Sequence, residues 1–76
     1  MNRPPLRWPA DQPLNDLIRR YYTGEMALWE PIRRLVDKEL RRRQIDRGHY
    51  HMRLLGRKDG GYDVLVEDAS DYAIEL

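Results

Sequence analysis

The C-terminal part of the chain alternates apolar and polar side chains with a period of two. Successive side chains of a strand point to opposite faces of its sheet, so this alternation is typical of strands with one buried face. Turn-forming residues separate three such stretches, and the pattern predicts a three-stranded antiparallel meander over residues 48–76. The apolar positions of the stretches are Tyr50, Met52 and Leu54, then Tyr62, Val64 and Val66, then Tyr72, Ile74 and Leu76.

The length of the first hairpin loop follows from the same alternation. A two-residue Asp59-Gly60 loop would place Arg53 opposite Val66, on the apolar face. A three-residue loop, Lys58 to Gly60 with Gly60 in the left-handed region, instead pairs Met52 with Val66. Because the register has to keep one face apolar, we expect the three-residue loop, which also pairs Leu54 with Val64.

The preceding part of the chain has helical spacing. Leu14, Leu17, Ile18 and Tyr21 share one helix face. Asp11 or Gln12 is expected to cap this helix, with Pro13 in its first turn. The helix should end near Thr23-Gly24, since glycine suits the left-handed residue that follows a helix.

A second helical pattern runs from Glu25 to about Gln44 and contains Pro31, which allows two solutions. Either Met26–Glu30 forms a separate turn and Pro31 opens the helix, or one long helix is kinked at Pro31. We favour the first. Glu39 falls within the apolar stripe and Arg43 lies one turn further on, so this pair is expected to mark where the helix leaves the core. The stripe consists of Leu28, Ile32, Leu35, Val36 and Leu40.

Residues 1–12 are expected to form an extended arm, because the segment around them contains Pro4, Pro5, Pro9 and Pro13. Trp8 in this arm either docks on a partner or folds back onto the core, and the shortage of apolar area in so short a chain favours the second. The predicted fold class is α+β. Two or three N-terminal helices pack on one face of the C-terminal meander, and residues 13–76 form a single small domain.

Composition narrows the class of protein. The chain has 76 residues, 41% of them hydrophobic, which is enough for one small core and too many for a disordered chain. It has no cysteine, so neither a disulfide nor a thiolate metal site can stabilise it. No apolar run approaches the roughly 18 residues of a membrane span. The N-terminus has no apolar stretch typical of a secretion signal, and we expect a cytoplasmic location.

The net charge of +1 conceals an uneven distribution. Residues 1–58 hold all 14 basic side chains and seven acidic ones, whereas residues 59–76 hold six acidic side chains and none that are basic. This asymmetry has two explanations. The chain binds a partner surface that carries charge of one sign, or its two halves neutralise each other.

Candidate chemistry is sparse, and we expect no enzymatic activity. Ser70 is the only serine and has no nucleophile-elbow context. His49 and His51, with Asp46 nearby, provide fewer ligands than the roughly four of a closed metal site. Gly60-Gly61 joins two strands and does not open a helix, so it is no phosphate loop. We therefore expect neither a metal nor another cofactor.

Two binding functions remain. The first is a protein-interaction module, possibly one that forms a homodimer, and its candidate contact residues are Trp8, Tyr22, Trp29, Leu55 and Leu65. Leu55 and Leu65 belong to the sheet face opposite the core, where apolar residues are either scattered or part of an interface.

The alternative is a nucleic-acid-binding module that uses the basic face of the 33–43 helix. Guanidinium groups bind phosphate well, and a row of them is typical of a nucleic-acid surface. A solvated helix face with internal ion pairs explains the same row equally well. The candidate residues are Arg34, Lys38, Arg41 and Arg42, with Arg57 and Lys58 at the hairpin tip.

Overall fold

The computed structural model of the protein describes residues 4–69. Two α-helices and three strands make up this part of the chain, and a short 3₁₀ turn precedes the second helix. In chain order the elements are β1 (Leu6–Pro9), α1 (Gln12–Tyr22), the 3₁₀ turn (Met26–Leu28), α2 (Trp29–Arg42), β2 (Tyr50–Gly56) and β3 (Tyr62–Asp68). None of the helices in these residues is long and apolar enough to cross a lipid bilayer.

The three strands form one antiparallel sheet in the order β1-β3-β2. The predicted α+β class, with two helices and a three-stranded antiparallel sheet, is therefore confirmed. The predicted meander order is wrong, because β1 from the N-terminal arm takes the place beside β3 that a third C-terminal strand would need. The strand predicted at Tyr72, Ile74 and Leu76 lies outside the described residues.

The arm was predicted to be extended, and its residues 6–9 are extended as a strand of the sheet. Trp8 pairs with Val64, and Leu6 pairs with Val66. Arg7 Nε donates a 2.8 Å hydrogen bond to Asp63 Oδ2 of β3. A further bond from Arg47 Nη2 to the Pro4 carbonyl, at 2.9 Å, ties the start of the arm to the segment after α2.

The β2–β3 hairpin has the predicted loop and register. Met52 pairs with Val66 and Leu54 with Val64. Gly60 has a φ of +90°, in the region that side chains disfavour, so glycine suits this position. The alternation of apolar residues thus determined the register correctly.

A capping aspartate, a glycine and a proline explain where the helices begin and end. Asp11 caps α1, and its Oδ1 accepts a 3.0 Å hydrogen bond from the Leu14 amide. Gly24, with a φ of +121°, follows the end of α1. The helix α2 begins two residues before Pro31 and not at it. Proline is tolerated there because the amides of the first turn have no partner within the helix.

The core lies between the helices and one face of the sheet. The sheet supplies Trp8, Met52, Val64 and Val66, and fully burying an aliphatic side chain contributes about 1.5–3 kcal/mol. Trp8 is only 8% exposed, so it lies in the core. The helices supply Leu14, Ile18, Ile32, Val36 and Leu40.

A hydrogen bond also joins α2 to β2 at the edge of this core. The Tyr50 hydroxyl donates to Asp37 Oδ1, and the Arg33 guanidinium carbon lies 5.8 Å from the centre of the Tyr50 ring. Burial of the phenol and the Asp37 carboxylate raise the pKa of Tyr50 to about 12. Tyr50 therefore remains a neutral donor at physiological pH.

Candidate protein-binding groove

A groove of about 500 Å³ separates β1 and the start of α1 from the C-terminal half of α2. We call it the β1–α2 groove. Its apolar residues are Trp8, Pro9, Pro13, Leu14 and Leu35. Its charged residues are Asp11, Lys38, Glu39, Arg42 and Arg43. An apolar surface with a charged rim is the usual anatomy of a protein interface.

Strand pairing, burial and two prolines restrain the apolar part of the groove. Trp8 is fixed by the pairing of β1 with β3, and Leu14 is buried in the core. Pro9 and Pro13 have a fixed φ, which limits the motion of the connection between β1 and α1. The Arg43 guanidinium lies 4.9 Å from the centre of the Trp8 ring, where a cation is attracted to the aromatic face. A ligand would therefore meet a surface that is already formed.

Glu39 is the central carboxylate of the rim, and two arginines surround it. Arg42 Nη2 and Arg43 Nε each lie 2.6 Å from Glu39 Oε2. The hydrogen bond from Arg42 and then that from Arg43 lower the pKa of Glu39 to about 2. The predicted pairing of Glu39 with Arg43 is present, and the two cations together exceed the charge of the carboxylate.

A stripe of three further cations runs along α2 beside the groove. Arg34, Lys38 and Arg41 recur at intervals of four and three residues, which places them on one side of the helix. All three are exposed, and none of them forms an ion pair with another described residue. We call them the cationic stripe. Lys38 belongs to both the stripe and the groove wall.

The other predicted cations differ from the stripe. Arg42 is paired with Glu39, as described above. Arg57 lies 2.9 Å from Asp63 and 3.1 Å from Asp59, so its charge is largely compensated within the hairpin. Lys58 is exposed at the hairpin tip and forms no ion pair with any of residues 4–69. Of the six cations proposed for nucleic acid, four thus remain without an ion partner in the described chain.

Tyr22 and Trp29 belong to an aromatic cluster near the end of α1. The Tyr22 ring stacks on Tyr62 with 5.7 Å between ring centres, and Tyr21 lies 5.3 Å from Trp29. Tyr22 is 55% exposed, and partial burial is the main cause that raises its pKa. Neither Tyr22 nor Trp29 lines the β1–α2 groove.

Leu55 and Leu65 lie on the sheet face opposite the helices, as their alternation predicts. Leu65 sits between Arg7 on β1 and Arg53 on β2, and Leu55 pairs with Asp63. Both leucines are half-buried. Charged neighbours therefore interrupt the apolar area of this face.

The groove is lined by residues from both predicted sets. Trp8 was predicted to contact protein, whereas Lys38 and Arg42 were predicted to contact nucleic acid. Pro9, Pro13 and Leu35 also line the groove and were not predicted as site residues. The spacing of Leu6 and Trp8, two residues apart, is compatible with a strand, but two apolar positions are too few to identify one. Because β1 is paired with β3, its residues Trp8 and Pro9 form one wall of the groove, and α2 forms the other.

No group of three or more histidine, cysteine or carboxylate side chains that could hold a metal ion occurs within residues 4–69. Comparison of the chain with protein-family models, with curated proteins and with solved structures gives no match. The function of the chain is therefore inferred from the shape and charge of its own surface.

Proposed function

We propose that this chain is a protein-interaction module whose β1–α2 groove binds a peptide segment of a partner protein. The observation that carries the proposal is the combination of accessible apolar side chains at Pro9, Pro13 and Leu35 with a charged lining in which three cations outnumber two carboxylates. Apolar surface supplies affinity when it is covered, whereas charge on the rim selects the partner and steers its approach.

The charge of the groove indicates the chemistry of the partner. Glu39 is paired with Arg42 and Arg43, and Lys38 has no ion partner among the described residues. With Asp11 included, the three cations of the groove exceed its two carboxylates by one charge. A segment with carboxylates would therefore be attracted, and one with lysines or arginines would be repelled. The best complement is an extended segment with one or two large apolar side chains next to aspartate or glutamate.

A display library of random linear peptides, panned against the full chain, tests this proposal. We expect enrichment of peptides that combine a leucine or aromatic anchor with a neighbouring carboxylate. Binding of an enriched peptide should fall at least about tenfold in Leu35→Glu, since burial of one anchor is worth more than the roughly 1.4 kcal/mol that corresponds to tenfold. Lys38→Glu should also weaken binding, and added salt should reduce the effect of Lys38.

Arg19→Glu is the matched control, because Arg19 is an exposed arginine of α1 that does not line the groove. Its affinity for the enriched peptide should remain close to that of the unmodified chain. Leu35 is only half-buried and glutamate is a good helix former, so circular dichroism should show an intact fold in Leu35→Glu. A library without enrichment, or a peptide indifferent to Leu35→Glu in a folded variant, would refute the proposal.

The cationic stripe supports nucleic-acid binding as a second candidate function. Three cations without ion partners in the described chain would neutralise about three phosphates, which predicts a slope of log Kobs against log salt of about −3 on duplex DNA. Arg34→Glu combined with Arg41→Glu should then abolish binding. If fluorescence anisotropy shows no binding of labelled DNA or RNA at low salt, this second candidate is removed.

A further inference from the structure

We infer that β2 is the open edge of the sheet and that two copies of this chain pair through their β2 strands. The inference goes beyond the groove, because it rests on the backbone groups of the sheet edges. An exposed strand edge presents unpaired amides and carbonyls, which a second strand can satisfy. The two edges of this sheet differ sharply in that respect.

The β1 edge is closed by prolines. The Ala10 amide donates a 2.9 Å hydrogen bond to the Tyr62 carbonyl, so the even-numbered residues of this strand direct their backbone groups towards β3. The odd-numbered residues, Pro5, Arg7 and Pro9, direct theirs outwards. Proline has no amide proton, and Arg7 is therefore the one amide donor among these three outward positions.

The β2 edge has no such protection. The Arg57 amide donates to the Gly61 carbonyl at 2.8 Å, so odd-numbered residues of β2 face β3 and even-numbered residues face outwards. The outward positions are Tyr50, Met52, Leu54 and Gly56, and each has an amide proton. Within residues 4–69, no hydrogen bond reaches the outward amides and carbonyls of these four residues.

An antiparallel pairing of β2 with a second copy uses all four outward positions. With the two-fold axis at Arg53, Met52 of one copy lies opposite Leu54 of the other, and Tyr50 lies opposite Gly56. Met52 and Leu54 then meet on the helix-covered side of both sheets, which extends the apolar layer across the axis. The two Arg53 residues lie opposite each other at the axis, and their guanidinium groups repel. Glu67 of the same chain, whose carboxylate lies 4.0 Å from the Arg53 guanidinium, offsets this repulsion.

The same register makes the ends of the paired strands complementary in charge. Continued past the ends of β2, this register brings the hairpin tip with Lys58 of one copy towards the 46–48 segment of the other, which contains Asp46. Lys58 has no ion partner in the described residues, and the Asp46 carboxylate accepts a 3.0 Å hydrogen bond from the Gly48 amide but forms no ion pair there. This match of a cation and a carboxylate, each without an ion partner in residues 4–69, is made twice by symmetry and favours a second copy as the occupant of the edge.

Sedimentation velocity over a range of concentrations tests the inference, and we expect a reversible monomer–dimer equilibrium. Gly56→Pro removes one outward amide and leaves the bonds to β3 intact, because Gly56 faces away from β3. Gly56→Ala is the matched control, since its new Cβ would make an ordinary 3.8 Å contact with Tyr62. The dimer dissociation constant should rise at least about tenfold in Gly56→Pro and stay unchanged in Gly56→Ala, because two hydrogen bonds are lost by symmetry.

Charge reversal provides a test that does not depend on the proline variant. Lys58→Glu and Asp46→Lys should each raise the dimer dissociation constant several-fold, and the double variant should restore it. Leu35→Glu should leave dimerisation unchanged, which separates this inference from the groove function. A chain that stays monomeric at all concentrations, or a dimer insensitive to the proline and charge variants, would overturn the inference.

Discussion

The fold strongly changes the ionisation of Glu39. Hydrogen bonds from Arg42 and Arg43 hold its pKa at about 2, below the ordinary value of 4.5. An NMR titration of the side-chain carboxyl carbon should therefore show a midpoint near 2. Arg42→Gln should raise the midpoint towards 4.5, because Arg42 is the largest cause of the shift. A midpoint of 4.5 in the unmodified chain would contradict the geometry of the groove rim.

The same pKa sets the pH range in which Glu39 stabilises the fold. Because the folded state lowers the pKa, the contribution is fully present above about pH 4.5 and is lost as the pH falls through about 2. Urea unfolding should show Glu39→Gln to be less stable at pH 6, with a difference that shrinks below pH 4.5. The exposed Asp16→Asn serves as the control and should show no comparable loss at pH 6.

Single residues differ in how far the sequence predicts their contacts. The pairing of Glu39 with Arg43 was predicted because both lie on one helix face a turn apart. The pairing of Arg57 with Asp63 was not, because it depends on the path of a long side chain across the hairpin. Helical spacing determines which side chains of one helix lie close enough to pair. The partner of a long arginine side chain outside a helix depends on the surrounding tertiary structure.

At the scale of elements, Asp11 supports the start of α1 through its hydrogen bond to the Leu14 amide. Asp11→Ala should lower the free energy of unfolding by about 1 kcal/mol, the usual cost of losing an N-cap. Chemical denaturation at neutral pH measures this. Gln12→Ala is the matched control at the neighbouring exposed position and should change stability by less than about 0.5 kcal/mol. Equal effects of the two substitutions would show that Asp11 is not the cap.

The elements that periodicity could predict are those with several apolar repeats. The helices α1 and α2 and the hairpin between β2 and β3 each contain enough repeats to determine face and register. The strand β1 is four residues long and ends in proline, so its alternation is too short to recognise. Its partner, β3, lies more than fifty residues further along the chain, and no local pattern reports a pairing over that distance.

At the scale of the whole molecule, three properties depend on the position of β1. Trp8 is buried because β1 lies beside β3, and the same placement forms one wall of the groove. The outward prolines of β1 also remove amide donors from its edge of the sheet, whereas no hydrogen bond within residues 4–69 occupies the outward backbone groups of β2. The candidate groove could not be predicted from the sequence because it needs this long-range pairing, although several of its charged residues could.

The most direct test of this account is therefore the pairing of β1 with β3 in solution. Arg7 and Leu65 are partners between two ladder hydrogen bonds, where the α protons of opposite residues come closest. We predict a strong nuclear Overhauser contact between the α protons of Arg7 and Leu65, comparable to the one between Leu54 and Val64 in the hairpin. If the hairpin contact is present and the Arg7–Leu65 contact is absent, the arm is not a strand of the sheet, Trp8 is not held in the core by β3, and the β1–α2 groove does not exist.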